Sequence, residues 1–211
     1  LNHAESYGIE VENFSKNFEK VIKRSRDVAN TMSKGVNFLM KKNKIKVFTG
    51  FGKINSDKTI SIKDEKEESK ISATNIIIAT GARSRDIDSL PKDGEKIIGY
   101  RKAMVLEKQP KEMIIVGSGA IGVEFAYFYN SMGTKVTLVE YEKNIAPIED
   151  KDISKELSKI LKKSGIQILN SSKVVDSKII GDKVEVTIES NNKKSILNGD
   201  VVLSAVGIKS N

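Results

Sequence analysis

The sequence predicts an α/β fold, a parallel sheet joined to a β-meander, and three observations predict it. The apolar run Met113-Ile-Ile-Val116 feeds directly into Gly117-Ser-Gly119-Ala-Ile-Gly122, and an amphipathic segment of helical period follows. A second apolar run, Val136-Thr-Leu-Val139, ends in Glu140, 23 positions after Gly117. Turn-separated β-branched runs then occupy the last third of the chain. Strand, glycine turn, helix, second strand and terminal acid together make a Rossmann-like, dinucleotide-binding pattern with its whole structural context.

Taken in order, the apolar positions from Phe14 to Lys42 recur at helical spacing, which predicts one long helix ending near Asn43. Short β-runs at Ile45–Phe48, Thr59–Ile62 and Lys70–Ser72 are separated by turn and charged residues, as in an antiparallel meander. Asn75–Ala79 reads as a fully apolar strand ending at Thr80-Gly81-Ala82. Residues Arg83 to Gln109 read as a polar connector with a short helix at Arg101–Leu106, and Pro110 marks a domain boundary. Behind it, a helix from Ala120 to Met132 stops at Gly133, and a strand runs from Lys135 to Glu140. A helix over Asp152–Lys163 turns Ile153, Leu157, Ile160 and Leu161 inward and stops at Gly165. Strand Ile166–Leu169 completes a βαβαβ half, a meander over Val174–Ile180, Val184–Glu189 and Lys194–Leu197 follows, and Asp200–Gly207 is a last buried strand. The chain begins in mid-element, with His3-Ala-Glu-Ser6 reading as a helix tail, and ends just after a strand; a piece of a longer polypeptide is expected.

Composition narrows the function classes. No cysteine occurs among the 211 residues, which excludes disulfides, thiolate metal sites and thiol catalysis by these residues. No run reaches the roughly 18 apolar residues of a membrane span, and the first residues form no signal sequence. A reducing, cytoplasmic setting is compatible. The net charge of +8 comes from lysines scattered among glutamates and asparagines, with no basic stripe interleaved with aromatics. A solvated surface, not nucleic-acid contact, is the expectation. No metal site is expected.

The glycine loop assigns roles by elementary stereochemistry. Gly117 permits the tight turn, Gly119 lets backbone approach a pyrophosphate, and Gly122 lets the helix pack closely on the strand. Ser118, Ala120 and Ile121 share the loop and offer backbone N–H groups at a helix start, where an anion is favoured. Glu140 is expected to accept hydrogen bonds from the adenine ribose, which selects NAD, since a 2′-phosphate would meet like charge. Glu124 is explained by the helix dipole alone or by a role beside the nicotinamide.

Five ordered motifs carry a family resemblance: Gly50-Phe-Gly-Lys53, Ala79-Thr-Gly-Ala-Arg83, Gly117–Gly122 with Glu124, Ile145-Ala-Pro147 before Asp150-Lys-Asp152, and Ala205-Val-Gly-Ile-Lys-Ser-Asn211. Together they resemble the flavin- and pyridine-nucleotide-dependent disulfide oxidoreductases, and within them the dihydrolipoyl dehydrogenases, over essentially the whole chain. The resemblance implies an incomplete part of a flavin-binding domain over residues 1–109 and an NAD-binding domain over 110–211. It implies a parent reaction from dihydrolipoamide through an enzyme disulfide and FAD to NAD. A homodimeric parent serving 2-oxoacid dehydrogenase or glycine cleavage complexes is implied too. The first flavin fingerprint, the cysteine pair and the C-terminal base are absent from this sequence, so no catalytic residue is assigned and FAD binding by these residues is expected to be weak or absent.

The same resemblance places Glu124 at the nicotinamide end, Val174 by its backbone on the adenine side, and Gly207 beside the nicotinamide pocket. On the flavin side it places Gly52 against adenine, with Thr80, Gly81 and Ala82 along the flavin diphosphate. Where relatives carry arginine and proline after the last glycine, this chain has Ile208-Lys-Ser210. Alternatives are a non-catalytic NAD-binding redox sensor, or a related flavoprotein such as a soluble transhydrogenase, NADH oxidase or mercuric reductase.

Overall fold

A computed structural model describes residues 5–10, 12–65 and 67–211. By its contacts the chain divides into two compact units, Lys23–Gly81 and a larger one made of Leu1–Ile22 with Ala82–Asn211. Among the described residues no helix is long and apolar enough to cross a membrane. Of the helix tail expected at 3–6, residues 3 and 4 lie outside the described residues, and Glu5–Tyr7 forms a single 3-10 turn.

Helix α1 runs over Phe18–Lys42. It starts later than the expected Phe14 because Asn17 caps it: the Asn17 side chain accepts the Lys20 N–H at 2.8 Å. Lys41 and Lys42 lie in its last turn, where the helix dipole favours cations. In the Lys23–Gly81 unit the meander is β1 (Phe51–Ile54), β2 (Thr59–Lys63) and β3 (Glu68–Ser72), antiparallel in that order. Two expected strands do not form. Residues 45–48 and 75–79 carry apolar strand sequence but no extended ladder, and Ile77 and Ile78 are 91% and 70% exposed. A strand persists by pairing its backbone and burying a face, and no described segment pairs with either run.

The larger unit begins with β4 (Ala82–Ser84), β5 (Ile97–Ile98) and the short α2 (Tyr100–Ala103). It continues through β6 (Glu112–Val116), α3 (Ala120–Met132), β7 (Lys135–Val139), α4 (Lys151–Lys163) and β8 (Gln167–Leu169). It ends with β9 (Lys173–Ile180), β10 (Lys183–Ser190), β11 (Lys193–Gly199), β12 (Val201–Ser204) and β13 (Ile208–Ser210). A parallel sheet has the order β5-β12-β6-β7-β8, and β9, β10 and β11 form a separate antiparallel meander. The segment read as a connector therefore contributes an edge strand, β5, and a short helix ending at Ala103 rather than Leu106.

Alternation along the central strands explains both layers. Met113 and Ile115 of β6, Val136 and Leu138 of β7 and Leu203 of β12 pack with Ala126 and Tyr129 of α3 and Leu161 of α4. Their neighbours Ile114, Val116, Val139 and Val202 face the other way, onto Val184, Val186 and Ile188 of β10. A parallel sheet covered on both faces needs continuous apolar strands, which is what 113–116 and 136–139 supply. On α4 the inward face is Ser154, Leu157 and Leu161; Ile153 and Ile160, expected inside, are 61% and 55% exposed. The inward arc keeps Leu157 and Leu161 but takes Ser154 in place of its neighbour Ile153, and Ser154 Oγ donates to the Ala146 carbonyl at 3.1 Å, which satisfies the hydroxyl under the helix. Asp150 caps α4, accepting the Asp152 N–H at 2.8 Å, and Gly133 closes α3 with φ +99°.

Candidate dinucleotide-binding site

From β6 the chain moves outward to β7 and β8, then returns on the other side of β6 as β12. The strand order thus reverses between β6 and β12, and the carboxyl ends of these strands bound a crevice, the position where open α/β sheets bind ligands. A cleft of about 600 Å³ lies there, within the roughly 300–1,000 Å³ of ligand sites. Its wall brings together Gly117, Ser118, Gly119, Glu140, Val174 and Gly207.

Each glycine of the loop is explained by what a methyl group would meet. Gly117 has φ +97°, and a Cβ there would lie 2.4 Å from the Ala205 carbonyl oxygen. On Gly122 a Cβ would lie 1.9 Å from the carbonyl oxygen of Gly117, so the first turn of α3 can settle on the loop only without a side chain. Gly119 differs: its backbone is extended, and a Cβ would meet nothing within 4 Å. The space over Gly119 is open toward the cleft, and no side chain caps the start of α3. This is a surface that a diphosphate can approach closely.

Glu140 stands at the end of β7 and is 6% exposed. Its Oε2 accepts the Ser118 N–H at 2.8 Å and the Ser118 hydroxyl at 2.5 Å, and its Oε1 accepts the Glu142 N–H at 2.8 Å. Three donors hold a nearly buried carboxylate at the cleft, so its desolvation is offset by charge-assisted hydrogen bonds.

Other expected residues lie elsewhere. Ala120 and Glu124 are exposed on α3, Ile121 packs toward the helix-side core, and Gly122 is buried; none of these lines the cleft. Gly52 is exposed within β1 of the other unit, where Thr80 and Gly81 also belong, and Ala82 opens β4, paired with Ser210. The cleft wall also contains Arg85, Ile87, Tyr141, Pro147, Ser172 and Lys173. Arg85 arrives through the antiparallel pairing of β4 with β13, which sets Ser84 opposite Ile208 and lets the Arg85 N–H donate to the Gly207 carbonyl at 2.9 Å. Ser172 arrives because its N–H donates to the Glu140 carbonyl at 2.9 Å. The one signal for Tyr141 and Ser172 was proximity to β7 and β9; nothing in spacing links residue 85 to residue 207.

Residues 4–211 match the model of the pyridine nucleotide-disulphide oxidoreductase family. A dihydrolipoyl dehydrogenase of Bacillus subtilis is 36% identical over 99% of this chain and 46% of its own length. One from Zymomonas mobilis is 39% identical over 82% of this chain and 37% of its own length. The chain thus spans a little under half the length of these curated relatives. Among solved structures, LpdA of Mycobacterium tuberculosis superposes with a TM-score of 0.87 at 23% identity, covering 98% of this chain and 45% of that one. The HOCl-induced flavoprotein disulfide reductase RclA of Escherichia coli does so at 0.78 and 26% identity, covering 93% of this chain and 44% of that one. By glycine loop, parallel sheet and family match alike, this chain belongs to the pyridine nucleotide-disulphide oxidoreductase family.

Proposed function

We propose that the larger unit binds NAD(H), as the pyridine-nucleotide segment of a flavin-dependent dihydrolipoyl dehydrogenase. The observation that carries this reading is the near-buried Glu140 carboxylate, held by Ser118, in the same cleft wall as an open Gly119. Gly117, Ser118 and Gly119 would hold the diphosphate by backbone, with Ala120, Ile121 and Gly122 forming the helix start behind it. Glu140 would accept from the adenine ribose, Val174 would lie on the adenine side, and Gly207 would lie toward the nicotinamide. When bound, the nicotinamide supplies a hydride donor or acceptor; these residues bind and orient it. Glu124, exposed on α3, would face a flavin-side partner from outside the cleft. The wider reading has Gly52, Thr80, Gly81 and Ala82 contributing part of an FAD wall. It makes the whole protein a cytoplasmic homodimer serving 2-oxoacid dehydrogenase or glycine cleavage complexes. Resemblance supports both.

Thermal melting with and without nucleotide tests the proposal. NADH should raise the midpoint of the 211-residue chain more than NADPH does. Glu140→Ala should remove that preference and weaken NADH binding about tenfold or more, the scale of a lost hydrogen bond to a charged group. A chain that responds to neither nucleotide refutes it.

A further inference from the structure

Ser118 is fully buried, yet it carries a hydroxyl that must donate to something. Its acceptor is Glu140 Oε2, which also takes the Ser118 N–H. The same hydroxyl oxygen faces the Ala146 N–H at 3.3 Å, and the Ser118 carbonyl accepts that N–H at 2.9 Å. Ala146 in turn is held from below by Ser154 Oγ on α4. The serine is thus fixed from both sides, and its rotor has a single direction in which to donate.

An ionised carboxylate offers about four acceptor positions, two on each oxygen. In Glu140, both positions of Oε2 are filled by Ser118 and one position of Oε1 by the Glu142 N–H. One position remains, on Oε1. Alanine or glycine at 118 would keep the amide but lose the hydroxyl, leaving Oε2 half-filled and the carboxylate freer to turn.

Resting on the reading of the cleft as an NAD(H) site, we propose that Ser118 is a positioning residue for nucleotide selection: it occupies Oε2 of Glu140, so that the carboxylate presents Oε1 alone to a ribose hydroxyl. Two consequences follow for the ligand. A ribose with a free hydroxyl meets a pre-aimed acceptor and spends little on ordering it. A 2′-phosphate meets a negative charge that three donors hold in place and that cannot rotate aside.

Calorimetric titration of the 211-residue chain with NADH and with NADPH tests this. Ser118→Ala and Ser118→Gly should each weaken NADH binding roughly 3- to 10-fold, the cost of ordering one side chain that is no longer pre-aimed. NADPH should change less, so the NADH/NADPH ratio falls. Ser118→Thr, which keeps a hydroxyl, should restore NADH binding to within about twofold. In a Glu140→Ala background Ser118→Ala should add less than about twofold, because the serine then has nothing to position. Melting of the nucleotide-free variants confirms that each is folded. A structure with NADH bound should place the ribose hydroxyl on Oε1. The proposal is overturned if Ser118→Ala and Ser118→Gly bind NADH like the parent while Glu140→Ala does not. It is also overturned if Ser118→Ala costs as much without Glu140 as with it, or if the ribose sits on Oε2. A parent chain that binds neither nucleotide removes the reading of the cleft itself, and the proposal with it.

Discussion

Gly122 sits against the backbone of Gly117: a methyl group on Gly122 would lie 1.9 Å from the Gly117 carbonyl oxygen. The helix start and the strand end are therefore in backbone contact, and two glycines of one motif serve packing while the third, Gly119, faces open space.

This separates two outcomes that a single glycine substitution usually confounds. Gly122→Ala presses a methyl on main chain that cannot move cheaply, and should cost about 3 kcal/mol, the upper end for overpacking. At roughly 2–4 °C per kcal/mol for a domain of this size, calorimetry will show it as a clear fall in the melting midpoint. Gly119→Ala should melt within about 2 °C of the parent, since surface changes away from contacts are near neutral. It should nonetheless lose NADH binding, because its methyl projects where the diphosphate must approach. Equal melting of both variants would contradict this division of labour.

At the amino ends of the strands, Glu112 bonds Lys183 at 2.9 Å and Lys135 at 3.0 Å. Hydrogen bonds from Lys183 and then Lys135 hold the Glu112 carboxyl below the usual range. The folded-state value lies under the unfolded one, so the stabilisation is present above about pH 4.5 and is lost as pH falls through the folded-state value. Glu112→Gln should flatten the acid limb of a stability-versus-pH curve, and soften the alkaline limb too, because the hydrogen bond and charge of Glu112 hold the Lys183 ammonium above its ordinary value. Because the pairs are partly exposed, high salt should shrink the difference. An unchanged acid limb at low salt would show that the cluster contributes nothing.

Tyr129 is fully buried among Phe18, Phe125 and Phe128, and its hydroxyl donates to the Ala103 carbonyl at 2.6 Å. Burial pushes its phenol well above the ordinary tyrosine value of 10.0. Its contribution is present below that value and declines as pH rises beyond it, because the unfolded chain ionises first. Tyr129→Phe leaves the Ala103 carbonyl without this donor and should cost about 1 kcal/mol in urea denaturation at neutral pH. In an alkaline ultraviolet titration of the five tyrosines, the parent should retain one phenol that ionises only with unfolding. The variant should lack that step.

Much of the fold was legible because it rests on local rules. A run buried on both faces reads as continuous apolar sequence, and 113–116 and 136–139 became β6 and β7. Gly133 ended α3 at the expected residue, since few side chains tolerate its left-handed backbone. The glycine spacing located the loop, and the acid after β7 located Glu140. Legibility failed where the deciding partner was remote. Residues 45–48 and 75–79 have strand composition, but pairing is supplied by other segments and composition does not reveal whether they are there. Ile153 and Ile160 satisfy the helical period, yet the inward face of α4 holds Ser154, Leu157 and Leu161, with the Ser154 hydroxyl bonded to the remote Ala146 carbonyl.

The sequence by itself determined the chemistry on offer at the site: a side-chain-free turn, a helix start and one acid at a strand end, because these follow from spacing within two short stretches. Tertiary structure alone decided how that acid is held and what faces it. Ser118 reaches Glu140 across 22 positions, and Arg85 reaches Gly207 across more than 100, only once the strands are side by side. Hydrogen bonds are short-ranged and directional, so which groups meet is a property of the folded sheet.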